Sequence, residues 1–576
     1  MSYDLAVWDG DKPADNAIAG EVFTQLYDRY IDTDEESPPS PRIAEYVAAL
    51  LARWVDLTED EEDTSPWSTG PLIDEAAGPL IYFPMRYSMA EEASAYAAEL
   101  AASMGLVCFD PQAGGLRPYP SQEAQACVRG GRDERFPVGG SLVADPGVYP
   151  FNMPGESVVL YDGPIGGVEE EDAAGRVELT CSPKLSLDWS LTGESDFSLE
   201  LRDEVSLQLL RPYGVAALRV SFRGQRDGWT NGAELGDPAV PLKRVVAHWF
   251  NLPKFQGQYH LTERTGEGKR LWSGGRWLRE IGDWKIVIDV RPDHKDVWVD
   301  LHKVHTYVMT HVMELSRVDG STFTAAEAEH VLRALHVGLS FGLGRWVAPL
   351  LPVGIDTHGE VAWEEWRSLL CDPARKISSG WWVPFDSEAL ASLLDVLIPA
   401  FADPGRAEPL RLQINYAVTA TNDTGFVEQR VMIGAAGLEH VMWERLVLSG
   451  RLTRNQYKVR PAHSLLREVL QDAGIPTSID PKQLTALTRL VSMRRQESGA
   501  DMDGPDVVTW VRNRLVHPTG SQDVVYRVSG VVMETWLLTR HYLSLLILES
   551  LGYRGLYRNL AKRGGWVGET ERVPWA

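Results

Sequence analysis

The stretch from Asp503 to Gly520, D-G-P-D-V-V-T-W-V-R-N-R-L-V-H-P-T-G, decides how the last third of the chain is read. Pro505 suits the first turn of a helix, Asp503 and Gly504 precede it as capping residues, and Pro518 and Gly520 close it. The segment is long enough for a helix of about three turns. At about 100° per residue, Val507, Val508, Val511 and Leu515 gather on one side, and Asp506, Trp510, Asn513 and His517 on the other. The first side seeks a core. The second offers a carboxylate, an indole, an amide and an imidazole to solvent, a substrate or a second chain, with Arg512 and Arg514 flanking it. His517 precedes a proline, which biases it out of the helical well. The negative end of the helix dipole there favours a protonated imidazole, as a general acid needs.

The neighbouring segments share the helical period. L-R-L-Q-I-N-Y-A-V-T-A, the run from Phe426 to Leu448, H-S-L-L-R-E-V-L-Q-D-A-G and P-K-Q-L-T-A-L-T-R-L-V-S-M-R-R-Q all carry it, and a long helix is expected from about Ser521 to Leu551. Short loops such as Asp423 to Gly425 imply antiparallel neighbours, so residues 409–576 read as an all-α bundle. The last long helix is apolar on more than one side, through Val528, Val531, Trp536, Leu545, Leu546 and Ile547, which points to burial against another surface such as a second subunit. Beyond it, Arg554, Arg558 and Lys562 would form a basic stripe on a short terminal helix.

Further upstream the period changes. Residues 1–111 read as a small acidic α/β domain, with strand L-I-Y-F-P-M, helix A-E-E-A-S-A-Y-A-A-E-L-A-A-S-M-G and strand L-V-C-F-D in an order suited to a βαβ crossover. Residues 112–200, rich in Gly and Pro, read as a linker and the start of a β-rich region. Residues 201–408 read as a β-rich α+β domain of largely antiparallel strands separated by turns such as D-G-W-T-N-G. The chain is thus a multidomain α+β protein, as its 576 residues require.

Composition narrows the function classes. Residues 1–111 hold 23 acidic and five basic side chains, whereas arginine and lysine exceed acid in residues 409–576, so the formal charge of −25 is unevenly spread. The basic third can attract phosphates locally, or each domain simply carries its own solvated balance. No stretch approaches an uncharged membrane span and the N-terminus lacks a signal-peptide pattern, so a cytoplasmic protein is expected. The four cysteines form no C-x-x-C pair. Asp32, Asp34, Glu35 and Glu36 lack the glycine and spacing of a calcium loop. Among the histidines, His305 and His311 would share a face of a strand with His302 nearby, a conceivable metal site, while His330 and His336 fall on opposite sides of a helix. No cofactor is expected: a Walker A loop, G-x-S-x-G and G-S-x-A-R-G are all absent.

A helical bundle carrying Arg512-Asn513 and, after four intervening residues, His517 resembles the HEPN superfamily, and R-N-R-L-V-H-P with the ending V-P-W is similar to its abortive-infection type. The opening residues resemble those of small uncharacterised actinobacterial proteins, which implies no function. The HEPN resemblance implies a metal-independent endoribonuclease of a toxin or phage-defence kind, cutting RNA as a homodimer, with the N-terminal region as sensor or regulator. Arg512 would hold phosphate, His517 would act as acid or base, and Asn513 would hold either the imidazole or the phosphate. An acidic helper is expected upstream, with Glu428 and Glu439 as candidates. Arg512 and His517 lie about 140° apart around an ideal helix, so two facing copies are needed. The alternatives are a non-catalytic dimerisation or nucleotide- or RNA-binding protein, and metal-dependent hydrolysis by the central histidines.

Overall fold

The computed structural model describes residues 2–31, 37–60, 64–86, 89–111, 115–117, 148–167, 173–192, 205–224, 226–265, 268–374, 379–422, 425–499, 501–562 and 568–576. The acidic run Asp32, Asp34, Glu35 and Glu36 lies outside them. The chain forms two compact units, Met1–Pro137 and Val138–Ala576.

In the first unit, β1 (Ser2–Trp8), β2 (Ala76–Ala77), β3 (Leu80–Arg86), β4 (Val107–Asp110) and β5 (Gly115–Arg117) form one sheet in the order β2-β3-β1-β4-β5. Both β3 and β4 run antiparallel to β1. They are therefore parallel to each other, with β1 between them. Alternation along β1 sets the layers. Leu5 and Val7 pack with α2 (Pro41–Leu51) and α3 (Ala90–Ser103), while Ala6 and Trp8 pack with α1 (Asn16–Tyr30).

The second unit combines a β-rich region with a helical C-terminal region. Strands β6 (Val158–Gly166), β7 (Ala174–Thr180), β8 (Ser186–Thr192), β9 (Val205–Arg211), β10 (Gly214–Phe222) and β11 (Asp227–Thr230) close a barrel. The turn read at D-G-W-T-N-G is corrected here, because its first four residues pair with β8 as β11. An eight-stranded antiparallel sheet follows, built from β12 (Ala233–Gly236), β13 (Leu242–Phe250), β14 (Tyr259–Thr265), β15 (Gly268–Ile281), β16 (Trp284–Val290), β17 (Met309–Arg317), β18 (Ala348–Asp356) and β19 (Val361–Trp366). Glu364 on β19 is fully buried at the barrel. It accepts from Arg211 Nε at 3.0 Å and Nη2 at 2.5 Å, from the Tyr213 hydroxyl at 3.0 Å, and from Tyr149. A buried carboxylate is tolerable only with its lone pairs filled in this way.

Two helices belong to this region, α4 (His294–Val304) and α5 (Ala325–Leu343). A reciprocal capping box between Thr324 and Glu327 starts α5, and left-handed Gly344 ends it. The helical region comprises α6 (Ser387–Ala402), α7 (Pro404–Thr421), α8 (Val427–Trp443), α9 (Arg454–Val459), α10 (Ala462–Asp472), α11 (Thr485–Ser498), α12 (Gly504–Val516), α13 (Val524–Arg527) and α14 (Val531–Ser550). One core runs from the sheet into these helices, joining Trp277 and Phe341 to Leu394, Ile414, Leu438 and Leu543.

Three expectations are corrected in this region. The long helix from Ser521 breaks at Gly530, whose φ of 90° leaves α13 and α14 as separate pieces. The apolar excess of α14 is covered by this chain's own α7, α8, α11 and α12. By length and hydropathy α14 could span a membrane, but 89% of that window is buried inside the protein. The terminal basic stripe does not form. Gly552, at φ 75°, turns the chain, and β20 (Leu556–Tyr557) pairs with β21 (Glu571–Arg572). Arg554, Arg558 and Lys562 then reach different partners: the Trp575 carbonyl, the Gly380 carbonyl and the pair Glu569/Glu571.

Candidate functional site

Helix α12 starts as its sequence dictates. The Asp503 carboxylate accepts from the Asp506 amide at 3.1 Å and the Asp506 carboxylate from the Asp503 amide at 3.2 Å, with Pro505 in the first turn. Arg467 of α10 forks both acids, at 2.7 and 2.8 Å to Asp503 and 2.7 Å to Asp506. Burial raises the Asp503 carboxyl, but Arg467 and the Asp506 amide outweigh it and hold the group below the usual carboxylate range. Gly504 is required by close approach: a Cβ there would lie 2.0 Å from the Tyr542 hydroxyl and 3.0 Å from the Thr477 carbonyl. Val507, Val508 and Val511 are buried, each contributing about 1.5–3 kcal/mol.

The helix ends at His517, whose amide still donates to the Asn513 carbonyl at 2.8 Å while its own backbone leaves the helical region at φ −129° and ψ 67°. Asp523 fixes the following turn. It accepts from the Thr519 amide at 2.9 Å, the Thr519 hydroxyl at 2.7 Å and Arg514 Nη1 at 3.3 Å.

The face left open carries Trp510, Asn513, Arg514 and His517. Trp510 is half-buried, with the Arg514 guanidinium carbon 5.1 Å and that of Arg494, from α11, 5.6 Å from its ring centre. Asn513 and His517 are exposed. Among the described residues the His517 imidazole makes no hydrogen bond and no ion pair. Arg512 turns to the flank, donating from Nη1 to Asn513 Oδ1 at 3.1 Å and facing Glu439 Oε1 of α8 at 3.7 Å. Glu439 is thus the carboxylate beside Arg512, and Glu428 lies more than two turns earlier on α8. The structure brings together Arg512, Asn513 and Glu439 but does not seat His517 with Arg512. The interhelical stack of Arg494 on Trp510 was not legible in any single helical period.

The central histidines do not share a face. His305 is no strand residue: it ends α4 in the left-handed conformation, φ 50°, while His311 is buried on β17. His311 stacks on Phe255 with ring centres 5.7 Å apart and lies 5.7 Å from His294. Burial, then Lys254 and Arg291, push His294 down to about 3; burial, then His294 and Lys254, push His311 well below the ordinary histidine value. His336 is buried, with Nε2 2.9 Å from the Leu370 carbonyl oxygen, and is pushed down to about 4. Among the described residues no three His, Cys, Asp or Glu side chains converge as a metal site.

A family model described as the YopA central domain matches residues 237–377, and one described as the YopA C-terminal domain matches residues 403–572. The chain is similar to the SPbeta prophage-derived uncharacterized protein YopA of Bacillus subtilis (strain 168), at 30% identity over 327 residues, 54% of this chain and 69% of that protein. No solved structure matches. These matches overturn the HEPN resemblance, which rested on a few residues around Arg512, Asn513 and His517, whereas the YopA C-terminal match takes in that helix within a whole domain. Basic residues towards a helix C-terminus, here Arg514 in the last turn and His517 at the cap, are also what an ordinary helix end favours, which is why so short a pattern misleads. Both family matches begin beyond residue 236, so the likeness of the opening residues to actinobacterial proteins is set aside with it.

Proposed function

The chain belongs to the YopA family, and we propose that its helical region binds single-stranded RNA through the exposed face of α12. The observation that carries this reading is Trp510 flanked by Arg494 and Arg514, with Asn513 and His517 exposed beside it. An accessible indole gives a base a stacking surface, and guanidinium groups around it take the adjoining phosphates. Each arginine of this face also faces a carboxylate: Glu497 for Arg494, Asp523 for Arg514 and Glu439 for Arg512. The pairs of Arg494 and Arg512 are partly exposed and worth little, so exchange of carboxylate for phosphate there is inexpensive, whereas Asp523 is buried and keeps Arg514 in place beside Trp510. The test is retardation of a labelled single-stranded oligoribonucleotide by the full chain. Arg494→Gln and Arg514→Gln should each weaken retardation and flatten its salt dependence; unchanged retardation in both variants sinks the reading.

A second reading is a metal-independent endoribonuclease of a toxin or phage-defence kind acting as a homodimer. It is favoured by the unengaged His517 imidazole and by Glu439 beside Arg512. The prophage origin of the Bacillus relative suits such a role. Since Arg512 and His517 point apart, cleavage needs a facing copy, and the exposed Val516, Tyr526 and Met533 near the helix end give apolar surface for one. The acidic N-terminal unit would then restrain or trigger the bundle. Electrophoresis of RNA incubated with the protein in EDTA separates the readings: cleavage lost in Arg512→Ala and His517→Ala supports catalysis, and intact RNA with retained binding supports the binding protein alone.

A further inference from the structure

A small cavity opens where the start of α7 meets the ends of α8 and α14. A single π-helical turn, Glu444–Leu448, continues α8 there, a rare geometry that recurs at functional sites. The cavity holds about 280 Å³ and is walled by Arg406, Leu410 and Gln413 of α7, Val441 of α8, Glu444 of the π-helical turn and Ser550 at the end of α14. All of these fall within the YopA C-terminal match. Arg445 also reaches the cavity but is engaged, donating to the Leu546 carbonyl at 2.8 Å and pairing with Glu549. Arg406 and Glu444 keep capacity. Arg406 is exposed and gives one Nη2 bond, at 3.1 Å, to the Ser550 carbonyl. Glu444 is half-buried and accepts on Oε2 from the amide of buried Gln413, which leaves Oε1 open. Among the described residues neither makes an ion pair, so a guanidinium and a carboxylate line one cavity beyond ion-pair distance of each other.

Opposite charges held apart across a cavity are both satisfied by a ligand that carries both signs. An anion alone would sit near the Glu444 carboxylate and a cation alone near the Arg406 guanidinium, and like-charge repulsion opposes each. The volume lies just below the roughly 300–1,000 Å³ usual for small-molecule sites, which suits a ligand of few heavy atoms. A round cavity of that volume is about 8 Å across, room for charge-assisted contacts of about 2.8 Å on either side of a ligand whose ammonium and carboxylate share one carbon. Leu410 and Val441, both buried, supply the apolar wall for a short side chain. We propose that this cavity binds a free α-amino acid with a small apolar side chain. Its carboxylate takes the open N–H edge of Arg406 and its ammonium donates to Oε1 of Glu444, which Gln413 steadies through the other oxygen. This site is independent of the α12 face.

The test is thermal unfolding of the full chain with L-valine, compared with N-acetyl-L-valine, which lacks the ammonium, and L-valinamide, which lacks the carboxylate. L-Valine should raise the unfolding midpoint saturably, by about 2 °C at roughly a hundredfold excess over its dissociation constant. Neither derivative should do so at the same concentration. Glu444→Gln and Arg406→Gln, at positions that reach solvent and leave Leu410 and Val441 packed, should each abolish the shift with circular dichroism unchanged. No saturable shift with L-valine overturns the site. So does a shift of equal size with either derivative, or in either variant.

Discussion

Two regions of the second unit treat charge in opposite ways. At the barrel, Glu364 is fully buried, and its oxygens are filled by Arg211, Tyr213 and Tyr149. On the helices, Arg494 and Arg514 lie against Trp510, the first beside the exposed carboxylate of Glu497 and the second beside buried Asp523. The first arrangement has no donor or acceptor capacity to spare, and its use is to join β9 and β19. The second keeps N–H groups and aromatic faces that an anion or a base can occupy. Where charge is saturated it holds the fold; where it is left with capacity it can meet a ligand.

The comparison breaks most visibly at its structural end. Glu364→Ala should cost about 3–5 kcal/mol in chemical denaturation, because it strands Arg211 without its partner. Gly504→Ala should cost about 1–3 kcal/mol by forcing Tyr542 or the start of α12 to move. At the ligand end, Trp510→Ala should lower the denaturation midpoint modestly, because the half-buried ring packs on the core, and weaken RNA binding about tenfold, the loss of one stacked base. Asp503 sharpens the contrast through pH. Its folded carboxyl sits below the usual range, so its contribution is fully present above an unfolded pKa of about 3.9 and is lost as pH falls through the folded value. The unfolding midpoint should therefore drop below about pH 4, and less so in Arg467→Met. Smallest of all, His517→Ala, which removes an exposed neighbour of Trp510 and no stacked ring or paired cation, should weaken RNA binding by no more than about twofold.

Much of the helical region was legible because its signals are local. Asp503, Pro505 and the valine stripe fix α12, and the buried and exposed sides fall where the period of the helix puts them. The break at Gly530 was missed because the apolar pattern continues across it. The stripe of Arg554, Arg558 and Lys562 matched a helical period that Gly552 interrupts. His305 and His311 looked like one strand because V-H-T-Y-V-M-T-H is rich in β-branched and aromatic residues with no Gly or Pro to interrupt it, yet the chain turns at His305. The interhelical stacks, Arg494 on Trp510 and Arg430 with Arg540 on Trp536, depend on tertiary neighbours. Glu364 reads as one more acid in W-E-E-W, with nothing local to mark it as buried.

The central claim is that the α12 face takes RNA by stacking on Trp510. Fluorescence anisotropy of a labelled single-stranded RNA, titrated in EDTA with the full chain and with Trp510→Ala at two salt concentrations, tests it most directly. The account predicts saturable binding that weakens steeply with salt, and about tenfold weaker binding in the variant. No binding at low salt, or equal affinity of parent and variant, would contradict it.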